Sequence, residues 1–245
     1  MNNKYDILFK NKVPISMDGI IIFGKDDEYL KPQQYSKITN LENKIWADLY
    51  SNVSELQKKY GSKEFLEGLK KLSIPKNYFP DFKIISKELF KTSKWELISV
   101  AGFLTEELFF DLNAQRKFPV TDIIRKSPRF DEKYDGEDIV NDEGYTPEPD
   151  IFHDVQGHIP LLANKEYSNF LHKVGILGDK IIKNELGLSR DLIDHNLKRL
   201  QNFAWWTYEF GLLKKQNVNT INDIDYEIYG SGILSSQSEI LNVVN

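Results

Sequence analysis

The sequence predicts a mostly α-helical single domain with a few short β-strands. Two observations carry that expectation: apolar residues recur at helical spacing over several capped stretches, and the strand-like runs are few and short. Size is the third. With 245 residues, 40% of them hydrophobic and 13% aromatic, the chain can bury one large core and still wall a cavity inside it.

In chain order, the first forty residues read as irregular, with a short strand at Ile20–Phe23 and a turn at Lys25–Asp27. Thr39 and Glu42 form a capping-box pattern, in which each side chain satisfies the other's free backbone N–H. Leu41, Ile45, Leu49, Val53 and Leu56 follow at helical spacing, so an amphipathic helix runs to about Tyr60. A second helix, Lys63–Leu72, carries Phe65, Leu66 and Leu69 on one side. Pro75 and Pro80 interrupt the chain before a helix near Ile85–Lys91. Trp95–Val100 reads as a strand. Thr105 then opens a helix whose first turn holds Glu106 and Glu107, where negative charge suits the helix dipole. Residues 126–146 are charged and without periodicity, as expected of a surface loop. Helices at Lys165–Asn184 and Asp191–Lys215, a strand at Tyr226–Tyr229 and a final helix at Gln237–Val243 complete the pattern. One domain over residues 1–245 is expected, led by an irregular segment at 1–24.

Composition excludes several classes of function. The net charge is −5 with basic and acidic residues interspersed, so nothing favours nucleic acid or an anionic membrane as a partner. The absence of cysteine rules out a disulfide scaffold, a thiolate metal site and a cysteine nucleophile. The N-terminus lacks the apolar stretch of a signal peptide, and the longest apolar runs, Gly19–Gly24 and Leu97–Leu104, are too short to span a bilayer. A cytoplasmic protein is expected.

Two of the four histidines, His153 and His158, stand five apart in the segment Pro147-Glu-Pro-Asp-Ile-Phe-His-Asp-Val-Gln-Gly-His-Ile-Pro160. Two imidazoles and one carboxylate on a single face of a metal leave the opposite face open, an arrangement suited to Fe(II) enzymes that bind dioxygen and substrate together. On an ideal α-helix a five-residue offset turns side chains about 140° apart. Shared ligation therefore requires a local distortion or a helix start, for which Pro149 and Gly157 give scope. Without a partner, such histidines are more often simply hydrogen-bonded.

The carboxylate has two candidates. Asp154 adjoins His153, but neighbouring helical side chains point about 100° apart. Glu209 is the better one: it is the sole acid between Asp194 and Asp223, and it lies in the apolar run Phe203-Ala-Trp-Trp-Thr-Tyr-Glu-Phe-Gly-Leu212. Burial there demands a cation, a metal or a hydrogen bond. A surface residue with its carboxylate turned to water is an equally good reading.

The segment Tyr145-Thr-Pro-Glu-Pro-Asp-Ile-Phe-His-Asp-Val-Gln-Gly-His-Ile-Pro-Leu-Leu-Ala163 resembles the signature of the pterin-dependent aromatic amino acid hydroxylases. Trp206–Leu212 and Tyr229–Ser236 resemble two further blocks of that family in the same order, and Trp95–Gly102 and Asn113–Arg125 resemble its bacterial members. The likeness runs from about residue 25 to the end. It implies a single catalytic domain of the aromatic amino acid hydroxylase type, with Fe(II) held by His153, His158 and Glu209 and a tetrahydropterin as co-substrate. The implied reaction is ring hydroxylation of a free aromatic amino acid, phenylalanine first, with dioxygen.

By the same resemblance Arg125 pairs with the substrate carboxylate, a task suited to a bidentate guanidinium. Thr146 and Ser235 hold the substrate backbone, and Pro149, Trp205 and Phe210 line the slot for its ring. Val100, Gly102, Leu104 and Phe109 contact the pterin, and Asp154 stands near its ring, where it can polarise the pterin through water. His172 and His195 match no family site and read as structural or exposed.

Three departures stand out. Ala204 replaces an aromatic residue, Gln156 an apolar one and Gln201 a small one. These changes are expected to gather on one side of the site, with Gln156 either bonding a ligand or metal-bound water or facing solvent. The chain also ends nine residues after Ser236, where relatives continue for several dozen, and neither a regulatory domain nor a tetramerisation helix is expected. A monomer or weak dimer is expected. Two alternatives stay open: an iron oxygenase with an altered or unused pterin site, and an inactive protein that binds an aromatic ligand or a partner.

Overall fold

The computed structural model describes residues 15–17, 20–23, 30–100, 103–125, 149–215 and 225–245. Gly102, Thr146, the expected turn at 25–27 and the expected loop at 126–146 lie outside them. Helices dominate, as expected.

Two short strands, β1 (Ile15–Met17) and β2 (Ile20–Phe23), pair antiparallel, and β2 continues in parallel to β4 (Phe103–Leu104). The strand at Ile20–Phe23 was expected; β1 was not. The first helix, α1 (Asn40–Tyr60), opens on the expected capping box, with Thr39 and Glu42 bonded reciprocally. It turns Trp46, Tyr50, Val53 and Gln57 inward. Trp46 is fully buried, meets the Phe152 ring edge-on at 5.2 Å and donates its indole N–H to the Pro75 carbonyl.

Helix α2 (Lys63–Leu72) has the expected bounds. Helix α3 spans Phe82–Ser93, starting earlier than expected because the Asp81 side chain accepts from the Lys83 amide and caps it. Strands β3 (Glu96–Val100) and β5 (Lys117–Thr121) pair in parallel, flanking the Thr105-capped helix α4 (Glu106–Ala114). This parallel pair places Val100 opposite Thr121.

Residues Phe152–His158 form a π-helical segment that runs into the short helix α5 (Ile159–Leu162). Helix α6 (Lys165–Ile182) packs along α4 at a distance only glycine permits: a Cβ at Gly178 would sit 2.3 Å from the Phe110 ring. Helix α2 crosses α5 as closely, with Gly68 against the Pro160 carbonyl.

The expected helix Asp191–Lys215 is shorter. It runs as α7 over Arg190–Ala204, gives way to a second π segment at Trp205–Glu209, and is followed by strand β6 (Leu212–Lys214). The Thr207 hydroxyl donates back to the Phe203 and Ala204 carbonyls, a competition that widens and bends helical turns. The chain leaves the helix at Phe210, and β6 pairs antiparallel with β7 (Tyr226–Ile228). Helices α8 (Ser231–Leu234) and α9 (Gln237–Val244) close the fold. A large core cluster gathers Trp46, Phe65, Phe79, Trp95, Phe152 and Ile159 around the two π segments.

Candidate metal centre

A π-helix closes hydrogen bonds between residues five apart, so a residue and its fifth neighbour share a face. That is the distortion the His153–His158 spacing demanded. Both imidazoles project the same way: their Nε2 atoms are 3.1 Å apart and the rings stand edge to face at 4.8 Å. The second π segment brings in Glu209, whose Oε1 lies 3.0 Å from His158 Nε2 and whose Oε2 lies 3.6 Å from His153 Nε2. Among the described residues, these three form one group of histidine and acid side chains close enough to share an ion. Glu209 is thus turned inward, and the surface reading of it is set aside.

The spacing fits a metal. Bonds of about 2.1 Å at right angles put neighbouring donors roughly 3 Å apart. Protonation fits at His153 and Glu209. Burial lowers His153 to about 4, with Glu209 only partly opposing it, so its imidazole is neutral at pH 7. Burial would raise Glu209, but His158 and His153 beside it hold its carboxyl down at about 2. Burial works against a charged His158, and Glu209 outweighs it and raises that imidazole above its usual value.

The surrounding groups orient the donors. His153 Nδ1 lies 2.9 Å from Ser235 Oγ, and the Ser235 hydroxyl donates to the Ser231 carbonyl at 2.8 Å. With its proton so committed, Ser235 can only accept from His153 Nδ1–H, which leaves the Nε2 lone pair for a metal. Asp150 accepts from the His153 amide at 3.0 Å and thereby begins the π segment. Gly232 packs against Glu209: a Cβ there would lie 3.1 Å from its carbonyl oxygen and 3.2 Å from Oε2. The Phe118 ring on β5 lies 5.1 Å from His158 and walls that side.

The remaining candidates fall around this centre. Arg125 is buried, and its Nε and Nη2 grip Asp150 in two bonds of 2.8 Å, with its own backbone amide adding a third at 2.9 Å. The guanidinium offered for the substrate carboxylate is therefore held by an internal one. Burial would raise the Asp150 carboxyl, yet Arg125 keeps it below its ordinary value. Pro149 is exposed; Trp205 is more than half exposed, with its ring 5.4 Å from Phe210. Asp154 is buried and accepts from the Thr121 amide at 2.8 Å and its hydroxyl at 3.3 Å, while burial pushes its carboxyl up to about 7.

Thr121 links two of these candidates, pairing with Val100 across the strands and donating to Asp154, and Leu104 packs with Val100. Phe109 joins a neighbouring cluster beside Phe110. His172 bonds the Asn113 carbonyl and His195 is exposed, as expected.

Gln156 departs from the expected grouping. Gln201 lies near Glu106 at the start of α4, and Ala204 is buried at the end of α7. Gln156 is fully buried, touches neither solvent nor a ligand, and donates to Gln57 of α1 at 3.0 Å. It turns away because, in a π segment with residues 153 and 158 on one face, residue 156 falls on another.

Sequence reasoning missed Asp150, Gly232, Phe118 and Thr121. Asp150 alone carried a local signal, an acid three residues before a helical amide, which is the N-cap pattern.

Two imidazole nitrogens and a carboxylate converging on one point define a class: non-heme centres of the two-histidine, one-carboxylate kind. The family follows from comparison. Residues 27–245 match the model of the biopterin-dependent aromatic amino acid hydroxylases, and the chain belongs to that family. It is 32% identical over 234 residues to the phenylalanine-4-hydroxylase of Chromobacterium violaceum, covering 96% of this chain and 66% of that protein. It is 32% identical over 216 residues to that of Caulobacter vibrioides, covering 88% and 63%.

Among solved structures, the iron- and phenylalanine-bound C. violaceum enzyme superposes with a TM-score of 0.71 at 30% identity, covering 90% of this chain and 69% of the other. The form of that enzyme holding iron(III) and 7,8-dihydrobiopterin gives 0.74 at 30% identity, covering 90% and 70%. The chain thus spans about two thirds of the length of these relatives.

Proposed function

We propose that this chain is the catalytic unit of a monooxygenase that hydroxylates the ring of a free aromatic amino acid, with phenylalanine the first candidate. The observation that carries the reading is the convergence of His153, His158 and Glu209 at 3.0–3.6 Å within a fold of this family. His153, His158 and Glu209 would hold iron(II), which with a tetrahydropterin would supply the activation of dioxygen and the two electrons that reduce its second oxygen atom to water. The overall balance is an arene C–H converted to C–OH, one water formed and the tetrahydropterin oxidised by two electrons.

The chain's own residues do the rest. Ser235 and Asp150 fix His153, and Gly232 packs against Glu209, so the donors need little reorganisation on binding. Arg125, held rigid by Asp150, presents a positive group to the substrate carboxylate, with Thr146 and Ser235 at the amino acid backbone. Pro149, Trp205 and Phe210 flank the aromatic ring, a reading supported by the approach of the Trp205 and Phe210 rings to 5.4 Å. Val100, Gly102, Leu104, Phe109 and Asp154 border the pterin, supported by the link that Thr121 makes between Val100 and Asp154.

No helix among the described residues is long and apolar enough to cross a membrane. The acidic, cysteine-free composition supports a cytoplasmic setting, as a monomer or weak dimer.

The test loads the protein anaerobically with Fe(II), adds tetrahydropterin and phenylalanine, tyrosine or tryptophan, and then admits oxygen. Hydroxylated product in proportion to pterin consumed is the expected result. Product without pterin would favour an iron oxygenase that leaves the pterin site unused. No product from any substrate, with no iron retained, would overturn both. Glu209→Ala is expected to abolish iron-dependent turnover with the far-UV circular dichroism unchanged.

A further inference from the structure

Helix α8 touches two of the three donors. Ser235, directly after it, bonds His153, and Gly232 within it packs against Glu209, where an added Cβ would lie 3.2 Å from Oε2. Whatever sets the position of α8 therefore sets two ligands at once.

One side of α8 is fixed by contact with the first π segment. A Cβ at Gly157 would lie 2.9 Å from the Ser231 carbonyl, so no side chain separates them. The other fixing point is polar and buried. Gln57 Nε2 donates to the Leu234 carbonyl at 2.7 Å, and Gln156 Nε2 donates to Gln57 Oε1 at 3.0 Å. The direction of this relay is fixed by its end: a carbonyl can only accept, so Gln57 donates there and must accept from Gln156. Both glutamines are at most 1% exposed.

The relay closes on itself. Gln156 lies between His153 and His158, passes through Gln57 to the Leu234 carbonyl, and the next residue, Ser235, returns to His153. Packing alone does not explain the glutamines. Gln156 Oε1 has no hydrogen-bond partner among the described residues, a burial penalty that an apolar side chain of similar size would not incur. Tyr50 beside the same amide has its phenol raised by burial, and Gln156 offsets part of that rise.

We propose that Gln57 and Gln156 are positioning residues, a buried amide clamp between α1, the first π segment and α8 that orients His153 and Glu209 toward the metal. The clamp rests on the metal-centre reading above. Its function is geometric: it touches neither the metal nor a substrate.

The test titrates the metal-free protein with Co(II), follows the d–d absorption bands, and measures urea unfolding of the metal-free form in parallel. Gln57→Leu and Gln156→Leu are each expected to weaken Co(II) binding by about tenfold, within the range seen when groups supporting ligands are removed, and to shift the d–d bands. Because the two act as a unit, the double variant should bind no more weakly than the weaker single. Metal-free Gln156→Leu should be at least as stable as the parent.

Co(II) binding within twofold of the parent, with an unchanged spectrum, in all three variants would overturn the clamp. So would an affinity loss that simply tracks lost stability of the metal-free form. If the leucine variants do not fold, Gln57→Met and Gln156→Met carry the same criteria. Failure of the parent itself to bind Co(II), or binding indifferent to His153→Ala, would remove the metal-centre reading and the clamp with it. Parent binding that depends on His153, with unaffected glutamine variants, would remove the clamp alone.

Discussion

Replacing Asp150 by alanine is expected to cost about 3–5 kcal/mol of stability, the penalty for stranding one half of a buried ion pair. The structure supplies the reasons for the upper regime. The Arg125 and Asp150 side chains are 5% and 2% exposed, their contact is bidentate, and Asp150 also accepts from the amides of Arg125 and His153. An exposed pair such as Lys44–Asp48, at 74% and 61% exposure, lies in the other regime and is expected to contribute well under about 1 kcal/mol.

The assay is urea unfolding of the metal-free protein with linear extrapolation, checked by thermal melting. For a chain of this size, the expected loss corresponds to a fall in melting temperature of roughly 6–20 °C. A cycle built from Asp150→Leu, Arg125→Met and their double variant separates stranding from net value: the double should recover most of the loss, since apolar replacement of a buried pair is often nearly neutral. A single-variant cost below about 1 kcal/mol, or a double variant as unstable as the sum of the singles, would refute the reasoning.

Three further outcomes are expected. Ser235→Ala removes the acceptor that orients His153 and should lower metal affinity by about 10–100-fold in a Co(II) titration, with Ser235→Thr restoring most of it. Gly68→Ala would place a Cβ 1.8 Å from the Pro160 carbonyl, so it should destabilise by at least about 1–3 kcal/mol in urea, and a neutral result would contradict the close packing of α2 on α5. Asp154, whose carboxyl rises from 3.8 to about 7 on folding, binds a proton in the folded chain that the unfolded chain has lost across that range. Its contribution to stability therefore falls as pH rises from about 4 to 7. Asp154→Asn should gain on the parent over that window, by on the order of 4 kcal/mol at most. A parent-to-variant difference that is flat with pH would refute it.

Much of the helical layout was legible because its signals are local. Thr39 with Glu42, and Thr105 ahead of two glutamates, announce helix starts through a few neighbouring atoms, and both helices begin where those caps predict. The end of α7 was not legible. Helical periodicity continues past Ala204, and only Thr207 back-bonding and the pairing of β6 with a strand beyond residue 224 show where it stops.

At the site, scarcity pointed to the histidines, and isolation among aromatic residues pointed to Glu209. Their meeting depends on two distant segments and could not be read from either. Gln156 illustrates the limit most clearly. Its sequence position suggested a role at the metal or in solvent, whereas its partner stands 99 positions away on α1.

Both segments that carry the candidate metal-binding side chains are π-helical, and this makes the centre sensitive to residue count as well as to residue identity. A π turn is in effect an α-helix holding one surplus residue, and that surplus brings His153 and His158 into phase. Deleting one residue between them would leave a sound four-residue helical spacing on an altered register, and every side chain downstream, from α5 onward, would have to rotate to follow. The segment can therefore tolerate exchange of residues that face away from the donors far better than it can tolerate gain or loss of a single position. The backbone's numbering is itself part of the ligand set.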